Sequence, residues 1–147
     1  MIHLLDANVL IALGDATHEH AGAALDFFET RATREGWATC PLTENAFLRI
    51  LGNPKYPGGP GSTQEARRVL ASILAAPGHR FWPDDLRFTE TARIPALPAS
   101  LELTDCYLLA LATANDGKFV TFDRRIRTDS VKGGEDRLLL LGEPTQR

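Results

Sequence analysis

The chain has 147 residues, 44% of them hydrophobic and 24% charged, with a formal net charge of −3. That length holds one domain with a proper core and is too short for two comfortable ones. The composition is that of an ordinary globular protein rather than a fibrous or low-complexity chain, and the slight acidity means that any contact with nucleic acid has to come from a local basic face.

No stretch reaches the roughly eighteen consecutive apolar residues of a membrane span. No basic segment leads into a secretory core, so the expected location is the cytoplasm. Cys40 and Cys106 fit neither a metal-knuckle spacing nor a disulfide framework, and are expected as reduced, buried thiols.

The chain opens with a short apolar run, Ile2 to Leu5, that stops at Asp6. A run of this length, apolar at successive positions, predicts a strand buried on both faces. Val9 to Leu13, ending at Gly14, reads as a short buried helix. Asp6 then stands where the strand ends and the helix begins, the edge of an open parallel sheet at which ligands bind. Taken singly, Asp6 is first a helix N-cap.

Ala21, Leu25, Phe28 and Ala32 recur at helical spacing after Thr17, which is placed to cap, and Gly36 ends that helix. His18 and His20 are two apart, so they point in different directions and make a poor ligand pair. Trp37 to Cys40 is a second strand. Pro41 to Leu51 is a helix with Ala46, Phe47, Ile50 and Leu51 apolar, and Glu44 falls in its first turn. The proline- and glycine-rich stretch from Asn53 to Ser62 is a loop.

Thr63 opens a helix with Ala66, Val69, Leu70, Ile73 and Leu74 on one face, stopped by Pro77-Gly78. His79 to Trp82 is a third strand, and Asp84 or Asp85 is expected to cap a short turn. Prolines keep Ile94 to Pro98 extended. Thr104 to Ala114 is a helix apolar nearly all round, hence buried, with Asp105 at its start. Lys118 to Phe122 is a fourth strand ended by Asp123, and Arg137 to Gly142 a fifth. Residues 1–142 read as one domain, with a tail at 143–147.

Strands alternating with helices predict an α/β fold: a three-layer sandwich, Rossmann-like, with a mostly parallel sheet of about five strands flanked by helices. In such a sheet all strand carboxyl ends share one edge. Asp6, Glu44 and Asp123 should meet there, and Asp105 joins them if its helix packs centrally. A cap explains each acid alone but not four elements presenting one at the same rim. Two unit charges at 4 Å repel by about 1 kcal/mol in water and about 4 kcal/mol at an effective dielectric near 20. A divalent cation relieves this, and all-oxygen ligation suits Mg²⁺ or Mn²⁺. Such an ion can make a water nucleophilic and neutralise charge on a phosphate. Asn8, Thr104 and Thr121 lie beside the acids and are expected to orient them.

Four blocks carry a resemblance to a known family: Leu4-Leu5-Asp6-Ala7-Asn8-Val9-Leu10; Thr43-Glu44-Asn45-Ala46-Phe47-Leu48-Arg49; Thr104-Asp105 leading into Leu108 to Ala112; and Val120-Thr121-Phe122-Asp123. Their order and spacing resemble the PIN-domain ribonucleases, and among these the VapC toxins of bacterial toxin–antitoxin pairs. The resemblance spans nearly the whole chain, and all four acidic positions are filled. It implies a PIN-like fold and a Mg²⁺- or Mn²⁺-dependent endoribonuclease, with Asp6, Glu44, Asp105 and Asp123 as metal-holding catalytic residues and 5′-phosphate and 3′-hydroxyl products. It further implies a toxin that inhibits translation and growth, a homodimer, a structured RNA target such as transfer or ribosomal RNA, and a VapB-type antitoxin whose tail occupies the groove of the site.

Arg124, Arg125, Arg127 and Lys132 follow the last acid and are candidates to carry RNA phosphates. Trp37, Trp82 and Tyr107 could stack bases, though the tryptophans fall in predicted strands, where core packing is favoured. Three other readings compete. An aspartyl phosphatase needs Asp-x-Asp after the first strand, and here Asn8 stands third. A phospho-receiver module could use Asp84 but lacks a lysine after the last strand. A scaffold that binds RNA without cutting it would not need four acids.

Overall fold

The opening apolar run forms β1 (His3–Leu5), buried along its whole length. The computed structural model describes residues 1–142, so the expected tail at 143–147 lies outside the described residues. In it β1 is the central strand of five. With β2 (Trp37–Thr39), β3 (His79–Phe81), β4 (Lys118–Thr121) and β5 (Leu138–Leu140) it makes a sheet in the order β3-β2-β1-β4-β5. Every pairing is parallel. Leu4 stands opposite Ala38 on one side and Phe119 on the other. A strand covered on both faces carries no polar alternation, which is why Leu4 and Leu5 are adjacent.

The chain runs outward from β1 through β2 to β3, then returns past β1 to lay β4 against its free side. The strand order therefore reverses between β1 and β4, and open α/β sheets bind ligands in the crevice at such a reversal. A receiver-type sheet places β3 beside β1. Here β2 and β4 flank β1, which removes the receiver reading.

One layer holds α1 (Ala7–Gly14), α2 (Ala21–Phe27), α4 (Pro41–Leu51) and α5 (Thr63–Leu74). Val9, Leu10, Phe27, Phe47, Leu51 and Leu70 from this layer pack with Leu5, Trp37 and Val120 of the sheet. The other layer is α6 (Leu103–Ala114), buried from Cys106 through Ala112 and packed with Leu4, Ala38 and Phe119. A side chain at Gly117 would bring its Cβ to 2.5 Å from the Ile2 carbonyl oxygen. The turn from α6 into β4 thus needs a glycine for β4 to start alongside β1.

Several expectations are corrected. The helix expected from Thr17 starts only at Ala21, because Asp15 takes both the Thr17 N–H and its hydroxyl. A π-helical turn, Phe28–Ala32, then joins α2 to the short α3 (Thr33–Glu35). The extra residue of a π turn rotates the buried face, so Ala24 and Phe27 are buried while Leu25 is 49% exposed. Ile50, expected inside, is also exposed. Asp84 caps no local turn; its Oδ2 accepts from the Leu42 N–H at the start of α4.

Candidate active site

At the reversal point β1 and β4 are tied beyond their ends. Thr121, completely buried, donates its hydroxyl to Asp6 Oδ2 at 2.7 Å. The Thr121 hydroxyl oxygen itself accepts from Asn8 Nδ2 at 3.1 Å and from the Asp123 N–H at 3.0 Å. Asn8 Oδ1 accepts in turn from the Phe122 N–H. One hydroxyl has a single donor and two lone pairs, so Thr121 is saturated and fixes both acids. Asp6 also caps α1, its Oδ1 accepting from the Ala7 N–H at 2.7 Å. Cap and candidate ligand are thus two oxygens of one carboxylate. Asn8 spends its side chain on β4 and offers no general acid of the kind a phosphatase needs.

Asp6 is charged only with difficulty. Burial pushes its carboxyl up to about 6, against the hydrogen bond from Thr121, and the charges of Asp105 and Asp123 push the same way. Asp105 opens α6 and is partly exposed. Burial raises it first, then the charge of Asp123, with Arg125 opposing. Asp123 is drawn below the usual carboxylate range chiefly by its hydrogen bond with Arg125. Three acids that are remote in sequence therefore lie within one another's field.

Glu44 has a partner of its own. Thr39, at the end of β2, donates its hydroxyl to Glu44 Oε2 at 2.6 Å, and stands 2.8 Å from His79 Nε2. Since the hydroxyl proton goes to Glu44, the His79 ring donates to Thr39. Neither Thr39 nor His79 carried a signal in the sequence, since a threonine in a strand and a histidine on an edge strand are unremarkable alone. Thr104 is exposed and, among the described residues, makes no side-chain hydrogen bond. It orients nothing, because the helix begins before it at Leu103, after a 3-10 turn at Ser100–Glu102.

A groove of about 550 Å³ adjoins Asp105 and Asp123 and is lined also by Leu101, Glu102, Arg125 and Arg127. Of the four basic candidates, Arg125 and Arg127 border it. Arg124 instead donates to the Leu141 and Gly142 carbonyls. Lys132 lies elsewhere, in a hollow with Arg93 and Thr113. Trp37 and Trp82 are core residues, and buried Tyr107 bonds the backbone of Leu86, so none of the three offers a ring to a base. Cys40 and Cys106 are free and buried. His20 stacks on Phe122, with ring centroids 4.4 Å apart, and His18 Nδ1 accepts from the His20 N–H, so the two do not form a ligand pair.

Among the described residues, no three acidic, histidine or cysteine side chains stand close enough to ligate one ion as they are. Asp123 is occupied by Arg125 and Glu44 by Thr39. The donor set still fits a hard divalent cation. It consists of carboxylate oxygens, and the repulsion that raises Asp6 is what a cation removes.

Known proteins share this fold and much of this sequence. The PIN-domain family model matches residues 3–129. Ribonuclease VapC38 of Mycobacterium tuberculosis is 40% identical over 125 residues, covering 85% of this chain and 87% of that protein. Ribonuclease VapC44 of the same species is 40% identical over 135 residues, 88% of this chain and 92% of its own length. Among solved structures, VapBC2 from Rickettsia felis, bound to a promoter DNA fragment, aligns over 95% of this chain and 97% of its own, with TM-score 0.58 and 13% identity. VapC20 of M. tuberculosis, a toxin that cleaves the sarcin–ricin loop, aligns over 78% and 83% with TM-score 0.54 and 13% identity. The two structures share the fold, the two ribonucleases share the sequence over nearly its full length, and with the matched family model they make this chain a member of the PIN-domain family.

Proposed function

We propose that this protein is a VapC-type endoribonuclease, the toxin of a toxin–antitoxin pair, and that it needs Mg²⁺ or Mn²⁺. The observation that carries the reading is that Asp6 and Asp123 share the Thr121 hydroxyl at the strand-order reversal, with Asp105 beside Asp123 on the adjoining groove, in a chain 40% identical to two VapC ribonucleases. Asp6, Glu44, Asp105 and Asp123 would hold the ion. When bound, Mg²⁺ or Mn²⁺ supplies a nucleophilic water and neutralises the charge developing on the scissile phosphate. Thr121 and Asn8 hold Asp6 and Asp123 in place, so the acids need little reorganisation. Arg125 and Arg127 offer their charges to the RNA backbone along the groove.

The products are 5′-phosphate and 3′-hydroxyl ends, and the target is a structured RNA. VapC20, which shares the fold, cleaves the sarcin–ricin loop, and this supports an RNA of the translation machinery. The Rickettsia complex supports a VapB-type antitoxin as partner. We read residues 1–142 as one domain, acting as a homodimer in the cytoplasm. Among the described residues no helix is long and apolar enough to cross a membrane.

The test is cleavage of total RNA by the purified protein with Mg²⁺, with Mn²⁺ and with chelator, for the wild type, Asp6→Asn and Asp105→Asn. Metal-dependent cleavage lost in both variants supports the reading. Cleavage undiminished by chelator ends the metal mechanism.

A further inference from the structure

Arg125 grips Asp123 more closely than a surface arginine needs to. Its backbone N–H and its Nε both donate to Asp123 Oδ1, at 2.9 and 3.0 Å, and its Nη2 donates to Oδ2 at 3.3 Å. Both oxygens through which Asp123 would ligate an ion are engaged by one guanidinium. Among the described residues this is the one ion pair made by any of the four candidate acids. The same charge reaches Asp105, where it alone opposes the neighbouring acids.

The grip is built to release. The Arg125 side chain is 90% exposed, and exposed ion pairs hold weakly. A divalent cation would bring twice the charge and would also interact with the neighbouring carboxylates, which favours it over the guanidinium. The backbone N–H bond to Oδ1 does not depend on the side chain, so Asp123 keeps its place when the guanidinium leaves. The freed side chain stays beside the groove it lines with Asp105 and Arg127.

We propose that Arg125 is an exchangeable stand-in for the metal, which neutralises Asp123 in the metal-free protein, yields it to the incoming divalent cation, and then takes an RNA phosphate in the adjoining groove. This deepens the nuclease reading and rests on it. Loading with metal and readiness for RNA become coupled through one side chain. Removing that side chain has effects of opposite sign: the metal binds more tightly because its competitor is gone, and RNA binds less tightly because a phosphate contact is lost. A purely structural role for Arg125 moves both affinities down or neither.

The experiment is Mn²⁺ binding by calorimetry without RNA, for wild type, Arg125→Ala, Arg125→Lys and Arg68→Ala. Arg68 is an exposed residue of α5 and controls for loss of a positive charge as such. Arg125→Ala should tighten Mn²⁺ by about two- to tenfold, the range set by an exposed pair plus relief of local repulsion. Arg125→Lys should fall between, and Arg68→Ala should stay within about twofold of the wild type. In the unmodified protein, the Arg125 Nε–H resonance should shift on Mg²⁺ titration as the fork opens. Binding of a short phosphorothioate RNA should weaken in Arg125→Ala, with the salt slope reduced by about 0.7. Unchanged or weaker Mn²⁺ binding in Arg125→Ala, with a wild type that cleaves RNA, overturns the exchange and leaves the nuclease reading standing. A wild type that neither binds Mn²⁺ nor shows metal-dependent cleavage overturns both. Should Arg125→Ala fold poorly, a motionless Nε–H resonance in the Mg²⁺-loaded wild type overturns the exchange by itself.

Discussion

The Thr121 hydroxyl donates to Asp6 Oδ2 at 2.7 Å, joining residues 115 positions apart. It also receives the Asn8 amide and the Asp123 N–H. Thr121→Val keeps the shape and deletes the hydroxyl. Two donors then lose their partner, and stability should fall by about 1–3 kcal/mol. RNA cleavage should fall by about 10- to 100-fold, as for other residues that orient metal-holding groups. Thr121→Ser should retain most of both. Denaturant titration and cleavage rates read these outcomes, and wild-type cleavage by Thr121→Val would contradict the role.

Asp6 works against the fold that presents it. Its carboxyl is raised from 3.8 to about 6, mainly by burial. A raised acid binds its proton in the folded state first, so between about pH 4 and pH 6 stability falls as pH rises. Above that window the ionised side chain costs up to about 3 kcal/mol. Asp6→Asn should therefore raise the Tm at neutral pH by several degrees, at about 2–4 °C per kcal/mol, while abolishing cleavage. The gain should shrink toward pH 4. A lower Tm for Asp6→Asn at pH 7 would refute the assignment of cost.

His3 lies at the opposite end of β1 and titrates in the other sense. It is buried, its Nε2 is 2.7 Å from Glu35 Oε1, and its Nδ1 has no hydrogen-bond partner among the described residues. Burial lowers its pKa from 6.5 in spite of Glu35. A lowered histidine takes up its proton in the unfolded chain first. Its contribution is thus complete above the unfolded pKa and is lost as pH falls toward the folded one. Glu35, lowered by its hydrogen bond from His3, likewise loses its contribution as pH falls through the acid range. His3→Leu should flatten the pH dependence of Tm between about pH 7 and pH 5 relative to wild type. Parallel Tm curves for the two proteins would exclude His3 as the source.

Divalent cations should stabilise the protein in the absence of RNA. An ion that binds only the folded state adds about 2.7 kcal/mol at a hundredfold excess over its Kd. Thermal melts with Mg²⁺ or Mn²⁺ should rise by several degrees and return on chelation, whereas Na⁺ at equal ionic strength should not raise them. Asp105→Asn should lose most of that response. An equal shift in Asp105→Asn would place the ion elsewhere.

Much of the sheet was legible because its strands are covered on both faces, and two-faced burial writes itself as adjacent apolar residues such as Leu4-Leu5 and Phe119-Val120. The acids at strand ends were legible for the same reason, since Asp6 and Asp123 interrupt those runs. The buried face of α2 was not, because the π-helical turn after Phe27 shifts the period and no residue type announces such a turn. Side-chain pairings were hidden too. Nothing in Thr39, His79 or Asp84 foretells that the first two would engage Glu44 or that the third would cap α4 from 42 residues away. Thr104 differs from Thr121 although both stand beside an acid: it lies in the first turn of α6 and is exposed, whereas Thr121 is buried between the strands.

The placement of β4 against β1 has a consequence for biosynthesis. Asp6 emerges from the ribosome early, yet Thr121 and Asp123 are translated more than a hundred codons later. Until that late segment slots into the gap beside β1, the early carboxylate has neither its donor nor its acidic neighbours. The shared hydroxyl that fixes both acids is therefore in place only once β4 has docked against β1.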